Sequence, residues 1–266
     1  MRTTSPRIAI SDIAAALKRY QLVGSLGWQD VRQRYRRSAL GPFWLTLSMG
    51  IMILTIGIVF GQIFNTSITD YLPFVTAGVI LWGFISTVIS EGCLGFVVAE
   101  GVIKQLPIPL FLHILRLIWR NILILGHNIV IFPIVLLFLG RPVDVVALVS
   151  LVGLAVLIVN LSWIALVLAM VCARYRDLPQ IVASVLQVFF YLTPIMWMPT
   201  ALPQQSGLYL LSWNPAYHLL EIVRSPLLGR LPTSTNWKVA ILLAFVGWAV
   251  AIVLFGRYRR RIAYWL

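Results

Sequence analysis

Charge is scarce in this chain, and negative charge is the scarcest. Of 266 residues only 11% are Asp, Glu, Lys or Arg, and eight are acidic. Soluble domains are about a quarter charged and about half apolar. Here 60% of residues are hydrophobic and the mean hydropathy is +0.93, which excludes an ordinary soluble fold. The shortage of acids also argues against an ion-driven carrier, which needs buried carboxylates or broken helices to hold its ions. Glu91 and Glu100 fall at the end of one apolar run, while Asp70, Asp144 and Glu221 fall outside the runs.

Catalytic chemistry is missing as well. Cys93 and Cys172 have no metal-ligand spacing and are too few for a disulfide framework, so both are expected as free thiols near helix ends. His113, His127 and His218 are scattered and read as packed or interfacial residues. HExxH and GxSxG are absent, and no pair of titratable residues is placed to act together, which disfavours an enzyme. No catalytic, cofactor-binding or metal-ligating residue is assigned. A P-loop needs Gly-Lys, and the lysines follow Leu17, Ile103 and Trp237; ATP, if used, is bound by another chain. The first 20 residues lack the apolar core of a cleavable signal peptide, so the first span is expected to serve as the targeting signal.

What the chain does have is long charge-free intervals: 38–69, 71–90, 121–140, 145–173, 178–220 and 239–256. About 20 apolar residues cross the hydrocarbon core as a helix. The expected fold is an all-α polytopic membrane protein with six transmembrane helices, an N-terminal amphipathic interfacial helix, and short re-entrant helices between spans 5 and 6. The spans are placed at about 42–64, 71–92, 111–139, 145–171, 180–198 and 237–256. They form a transmembrane domain, 42–256, between a cytoplasmic segment, 1–41, and a basic tail, 257–266.

Net charge is +13 and the pI about 10.6, values that in a soluble protein suggest nucleic acid. Here the bases occupy the gaps between apolar runs, so no nucleic acid is expected and the positive-inside bias is the better reading. On the six-span map only Arg141, Arg224, Arg230 and Lys238 of the 21 basic residues lie on the far side, which makes both termini cytoplasmic.

Four arginines crowd the stretch VRQRYRRSALGPFWL, 31–45. On a helix over about 24–40, Trp28, Val31, Tyr35 and Ala39 share one face, and Gln29, Asp30, Gln33, Arg34, Arg36 and Arg37 the other. That segregation describes a helix lying in the membrane interface; a plain positive-inside flank is the simpler alternative. Gly41-Pro42 then turns the chain into the first span. The segment 199–236, rich in proline and aromatics, reads as short helices dipping into the outer leaflet or as an amphipathic loop on its surface.

Four places together resemble one family: RQRYRRSALGPFWL (32–45), ARYRDLP (173–179), YLTPIMW (191–197) and NPAYHLLEIVRSPLLG (214–229). They are similar, in order and spacing, to the membrane subunit of ABC-2 type exporters for O-antigen, capsule or teichoic acid. The resemblance runs from about residue 22 to 262, and the residues before it add no motif. It implies a homodimer working with two copies of a separate ABC ATPase that holds ATP and Mg. The substrate would be a lipid-linked glycan, moved outward across the bacterial inner membrane. Another lipid or a drug is the alternative cargo, and an ion-driven carrier or a scaffold without an ATPase is the alternative class.

The resemblance distributes roles along the chain. Arg32, Arg34, Arg36 and Arg37 would face lipid headgroups, the substrate phosphate or the ATPase, since an arginine fork suits phosphate. Arg116 and Arg120, four apart, either snorkel or form a basic lip for the substrate phosphate. ATPase coupling is assigned to Glu100 and Lys104 in EGVIKQLPIP, a short helix ended by Pro107 and Pro109, or a simple loop. Arg174, Arg176 and Asp177 form a second coupling candidate, or a salt-bridged turn. Aromatic faces suit sugar rings, so Phe60, Trp82, Phe190 and Tyr191 are the candidate channel lining, against a packing or lipid-facing role.

Overall fold

The computed structural model describes residues 6–36, 43–199 and 211–266. The described residues are helical, with no strand among them. In chain order the helices are α1 (Pro6–Lys18), α2 (Tyr20–Tyr35), α3 (Phe43–Ile63), α4 (Ile68–Leu94), α5 (Glu100–Gln105), α6 (Phe111–Asn128) and α7 (Ile131–Phe138). A 3-10 turn, Val145–Leu148, leads into α8 (Val149–Arg174), followed by α9 (Leu178–Leu192), α10 (Pro215–Leu227) and α11 (Ser234–Trp265).

Local chemistry sets the ends of these helices. Asp144, Asn214 and Thr233 cap the helical turns that follow them by accepting backbone N–H bonds. Asn65, Gly140 and Gly229 adopt positive φ just past α3, α7 and α10. At each, the next N–H bonds a carbonyl five residues back, which closes the helix. The break between α6 and α7 precedes Pro133, which has no N–H to offer the Ile129 carbonyl.

Helix α4 is the centre of the bundle, with every residue from Tyr71 to Trp82 buried. It packs on α3, α6, α8 and α10, and α8 packs on α10 and α11. Gly92 lets α4 approach α8 closely: a Cβ there would sit 3.0 Å from the Ala165 Cα. Small residues at such crossings are how helices associate in lipid, where the hydrophobic effect gives no net drive. By contrast α3 buries only Ile53, Gly57 and Gly61, and α9 buries nothing. Helix α1 and the end of α11 meet at one end of the bundle, the base, where Asp12 pairs with Arg259. The opposite end, the crown, holds the start of α4, the end of α7 and α10.

The membrane reading needs correction in its details. Five helical units are long and apolar enough to span: Phe43–Ile63, Ile68–Leu94, Phe111–Phe138, Val145–Arg174 and Ser234–Trp265. The expected fifth span, 180–198, is instead the 15-residue helix α9, about 22 Å long, followed by non-helical Thr193–Met198. Helix α9 alone falls short of the roughly 30 Å core. Pro194 is the physical reason, because the residue before a proline avoids the helical region. The expected basic tail, 257–266, is not separate, since α11 continues through Trp265. Where an interfacial helix is expected over 24–40, the structure has the helix α2, which starts earlier and is preceded by α1. Arg37, Ala39, Gly41 and Pro42 lie outside the described residues, as do 200–210 of the segment 199–236.

Candidate functional site

At the base, α2 lies across α6 through Val23, Gly27 and Val31, which leaves Trp28 exposed. Asp30, turned toward α6, accepts from the Arg116 Nε at 2.7 Å and pairs with Arg120 at 3.5 Å. Glu91 of α4 accepts from Arg120 at 2.7 Å, from Asn121 at 2.6 Å and from Arg34 of α2 at 3.3 Å. Five charges from three helices thus form one network. It borders a cleft of about 580 Å³ whose other wall is Leu94, Val98 and Val102. Arg116 and Arg120, expected to snorkel or to form a basic lip, are engaged within the protein. Arg32 and Arg36 are exposed beside the network.

The two coupling candidates lie near each other, also at the base. In α5 the Lys104 ammonium donates to Glu100 at 2.6 Å. That bond and the Lys104 charge hold the Glu100 carboxyl below its usual value of 4.5, and Arg176 adds a smaller pull in the same direction. Arg176 also donates to the Leu266 carbonyl at 3.4 Å, and Arg174 stacks on Trp265 at 5.5 Å. The turn between α8 and α9 therefore rests on the end of α11. Asp177 starts α9 without a side-chain capping bond.

The crown contains a polar core. Arg224 of α10 is fully buried. It donates to Glu221 and to the Pro194 carbonyl and lies 4.1 Å over the Phe74 ring. Glu221 also accepts from Ser225. Tyr71 donates to the Met196 carbonyl, and the Asn214 Nδ2 donates to the Thr193 Oγ at 3.0 Å. Non-helical backbone at membrane depth survives only if its polar groups find partners. Here α4 and α10 supply them to the segment 193–196. Gly78 allows the approach, since a Cβ there would meet the Ile195 carbonyl at 3.0 Å. The motifs YLTPIMW and NPAYHLLEIVR are the two halves of this joint.

The ABC-2 type transporter family model matches residues 21–228. This chain belongs to that family. An O-antigen export system permease protein RfbA of Klebsiella pneumoniae is 20% identical over 88% of this chain and 91% of its own length. A protein of the same name from Myxococcus xanthus is 25% identical over 75% of this chain and 77% of its own. The ABC-2 transporter is thus a multi-pass membrane protein, and α1 and α11 lie outside the matched stretch.

The aromatics of this ABC-2 transporter fall into two groups. Trp82 is buried and its ring lies 6.1 Å from that of Phe190, which meets Tyr191 at 5.4 Å. Phe60 instead stacks with Phe64 at 5.9 Å. Tyr191 is 61% exposed on α9, so Trp82 packs inside while Tyr191 faces out. His218 bridges Asn236 and the Ser212 carbonyl, and among the described residues no His, Cys, Asp and Glu cluster has a metal geometry. Sequence reasoning passed over Asp12, Asp30 and Glu91 as site residues. Their signal was rarity: six of the eight acids form ion pairs in the structure.

Proposed function

We propose that this chain is the transmembrane subunit of an ATP-driven exporter that moves a lipid-linked polysaccharide, of O-antigen, capsule or teichoic acid type, from the cytoplasmic to the outer leaflet. It works as a homodimer in the bacterial cytoplasmic membrane, with its base and both termini inside. Two copies of a separate ABC ATPase supply ATP and Mg beneath it. The observation that carries this reading is family membership together with relatives named O-antigen export permeases over most of their length.

Two features of the chain support it. Glu100, Lys104, Arg174 and Arg176 gather at the base, where an ATPase would push, and Arg32 and Arg36 stand exposed for headgroups or that partner. Helix α9 presents Gln180, Ser184 and Gln187, spaced by one helical turn, on an exposed face that continues to Tyr191. Polar groups in a membrane helix face protein or a wet cavity rather than lipid. Such a stripe suits a path between two copies, with Tyr191 and Phe190 offering flat faces to sugar rings.

The test is purification of the tagged chain from its native membrane in mild detergent. A P-loop ATPase at one-to-one stoichiometry, and a lipid-linked glycan accumulating inside when the chain is deleted, are the expected results. An ATPase without glycan accumulation would redirect the cargo to another lipid or a drug. Absence of any ATPase would overturn the reading in favour of an ion-driven carrier or a scaffold.

A further inference from the structure

No motif marks the first 20 residues, yet α1 contributes one of the most enclosed acids in the molecule. Asp12 is 4% exposed. A buried carboxylate survives only with full hydrogen bonding and a counter-charge. Asp12 has both: it accepts from the Leu110 N–H at 3.2 Å, the Phe111 N–H at 3.0 Å and the Arg259 Nε at 2.6 Å.

The two amides belong to the start of α6, where the first N–H groups of a helix lack partners. Helices usually solve this with a local Ser, Thr, Asp or Asn. At α6 the capping position is Leu110, whose side chain has no oxygen to offer. The cap comes instead from 98 residues away in sequence. The start of α6 is therefore conditional on the seating of α1, and through Arg259 on the last turns of α11.

That junction lies immediately after the loop that follows α5. Asp12 and Arg259 line a cleft of about 590 Å³ together with Leu106, Pro107 and Pro109. The loop is thus held at its far end by the Asp12 bonds while open space lies beside it. Beyond the junction, α6 carries Arg116 and Arg120 to Asp30 and Glu91, so ion pairs and the two Asp12–amide bonds together link α11 through α1 and α6 to α2 and α4.

We propose that Asp12 is a positioning residue for energy coupling: it joins α1, α6 and α11 so that displacement of α5 moves α6 and α11 as one unit. This rests on the export reading above, because coupling presupposes an ATPase that moves α5.

The test uses the full chain with its ATPase in lipid nanodiscs. Asp12→Ala removes the whole junction, and Asp12→Asn is the milder variant that keeps the shape. In Asp12→Ala the amides of residues 110 and 111 should exchange about tenfold faster, the scale of a lost cap. Export per ATP hydrolysed should fall severalfold in both variants, with insertion and yield unchanged. The swap Asp12→Arg/Arg259→Asp restores a pair between α1 and α11 but cannot accept from the α6 amides, so it should stay uncoupled. Wild-type exchange in Asp12→Ala, wild-type export per ATP in either single variant, or rescue of coupling by the swap would each overturn the proposal. If no ATPase accompanies the wild-type chain, the export reading fails before any variant is made. The coupling role, which presupposes it, then falls as well, whatever the exchange data show.

Discussion

Arg224 gives the sharpest test of the crown. Replacing it with Met keeps the length and apolar contact of the side chain but removes every hydrogen bond. Glu221 is then left with Ser225 as its donor, and the Pro194 carbonyl loses the guanidinium. Breaking a buried pair by removing one partner costs about 3–5 kcal/mol. An unsatisfied buried carbonyl costs about 1–3 kcal/mol more, and the two do not add fully. A net loss of about 4 kcal/mol, at about 2–4 °C per kcal/mol for a chain of this size, lowers the Tm by roughly 8–16 °C. Removing both charges, Arg224→Met/Glu221→Leu, leaves no stranded carboxylate and should recover at least half of that loss. The assay is built in: Cys93 and Cys172 are buried free thiols, so a thiol-reactive fluorophore reports unfolding. A double variant that melts as low as the single one would refute the assignment of Arg224 as the counter-charge of Glu221.

Other outcomes follow from the same geometry. Gly153→Leu should abolish folding or lower the Tm by at least roughly 6–12 °C in the thiol assay, about 3 kcal/mol or more of overpacking, because any Cβ on α8 at that point overlaps the Ile222 carbonyl of α10. Glu100→Lys should lower export and coupled ATP hydrolysis severalfold while insertion stays normal, as read by membrane fractionation and transport assay. The Glu100 carboxyl is held below its usual value, so its contribution is present above the unfolded value and is lost only as pH falls through the lower folded one. Export should accordingly show no step near pH 4.5–5 that Glu100→Gln removes. In the folded protein both cysteines should resist a maleimide that labels them fully in denaturant, as counted by mass spectrometry.

Much of the fold was legible because lipid imposes simple rules. Charge-free length marks helices, and α3, α4, α8 and α11 all begin or end within a few residues of a charge or of a turn-forming residue such as Asn65 or Gly140. The legibility failed where tertiary partners replaced local rules. Helix α9 looked like a span because Thr193–Met198 is as apolar as a helix. The buried Arg224 and Tyr71, which pair with the Pro194 and Met196 carbonyls, make non-helical backbone tolerable there, and they come from distant elements. The arginines at 116 and 120 looked free because their partners, Asp30 and Glu91, lie 86 and 29 residues away. Helix α1 carried no motif, since its one informative residue works through amides of α6. Nothing in the spacing of the two coupling candidates tells that Arg176 lies near enough to bias Glu100.

Helix α10 also has a consequence for how the subunit is made. It carries a glutamate and an arginine in mid-helix, and each charge costs about 2.5–3.5 kcal/mol at the centre of a lone helix in lipid. Insertion of this helix on its own is therefore disfavoured. Its site is built from α4 and α8, already synthesised, and from α11, which follows it in the chain. On this cost α10 is expected to dock only after α11 is in place, as the step that closes the bundle. A subunit whose α4, α8 or α11 is misplaced would then leave Glu221 and Arg224 without their buried site, a charged helix on the surface in place of a closed bundle.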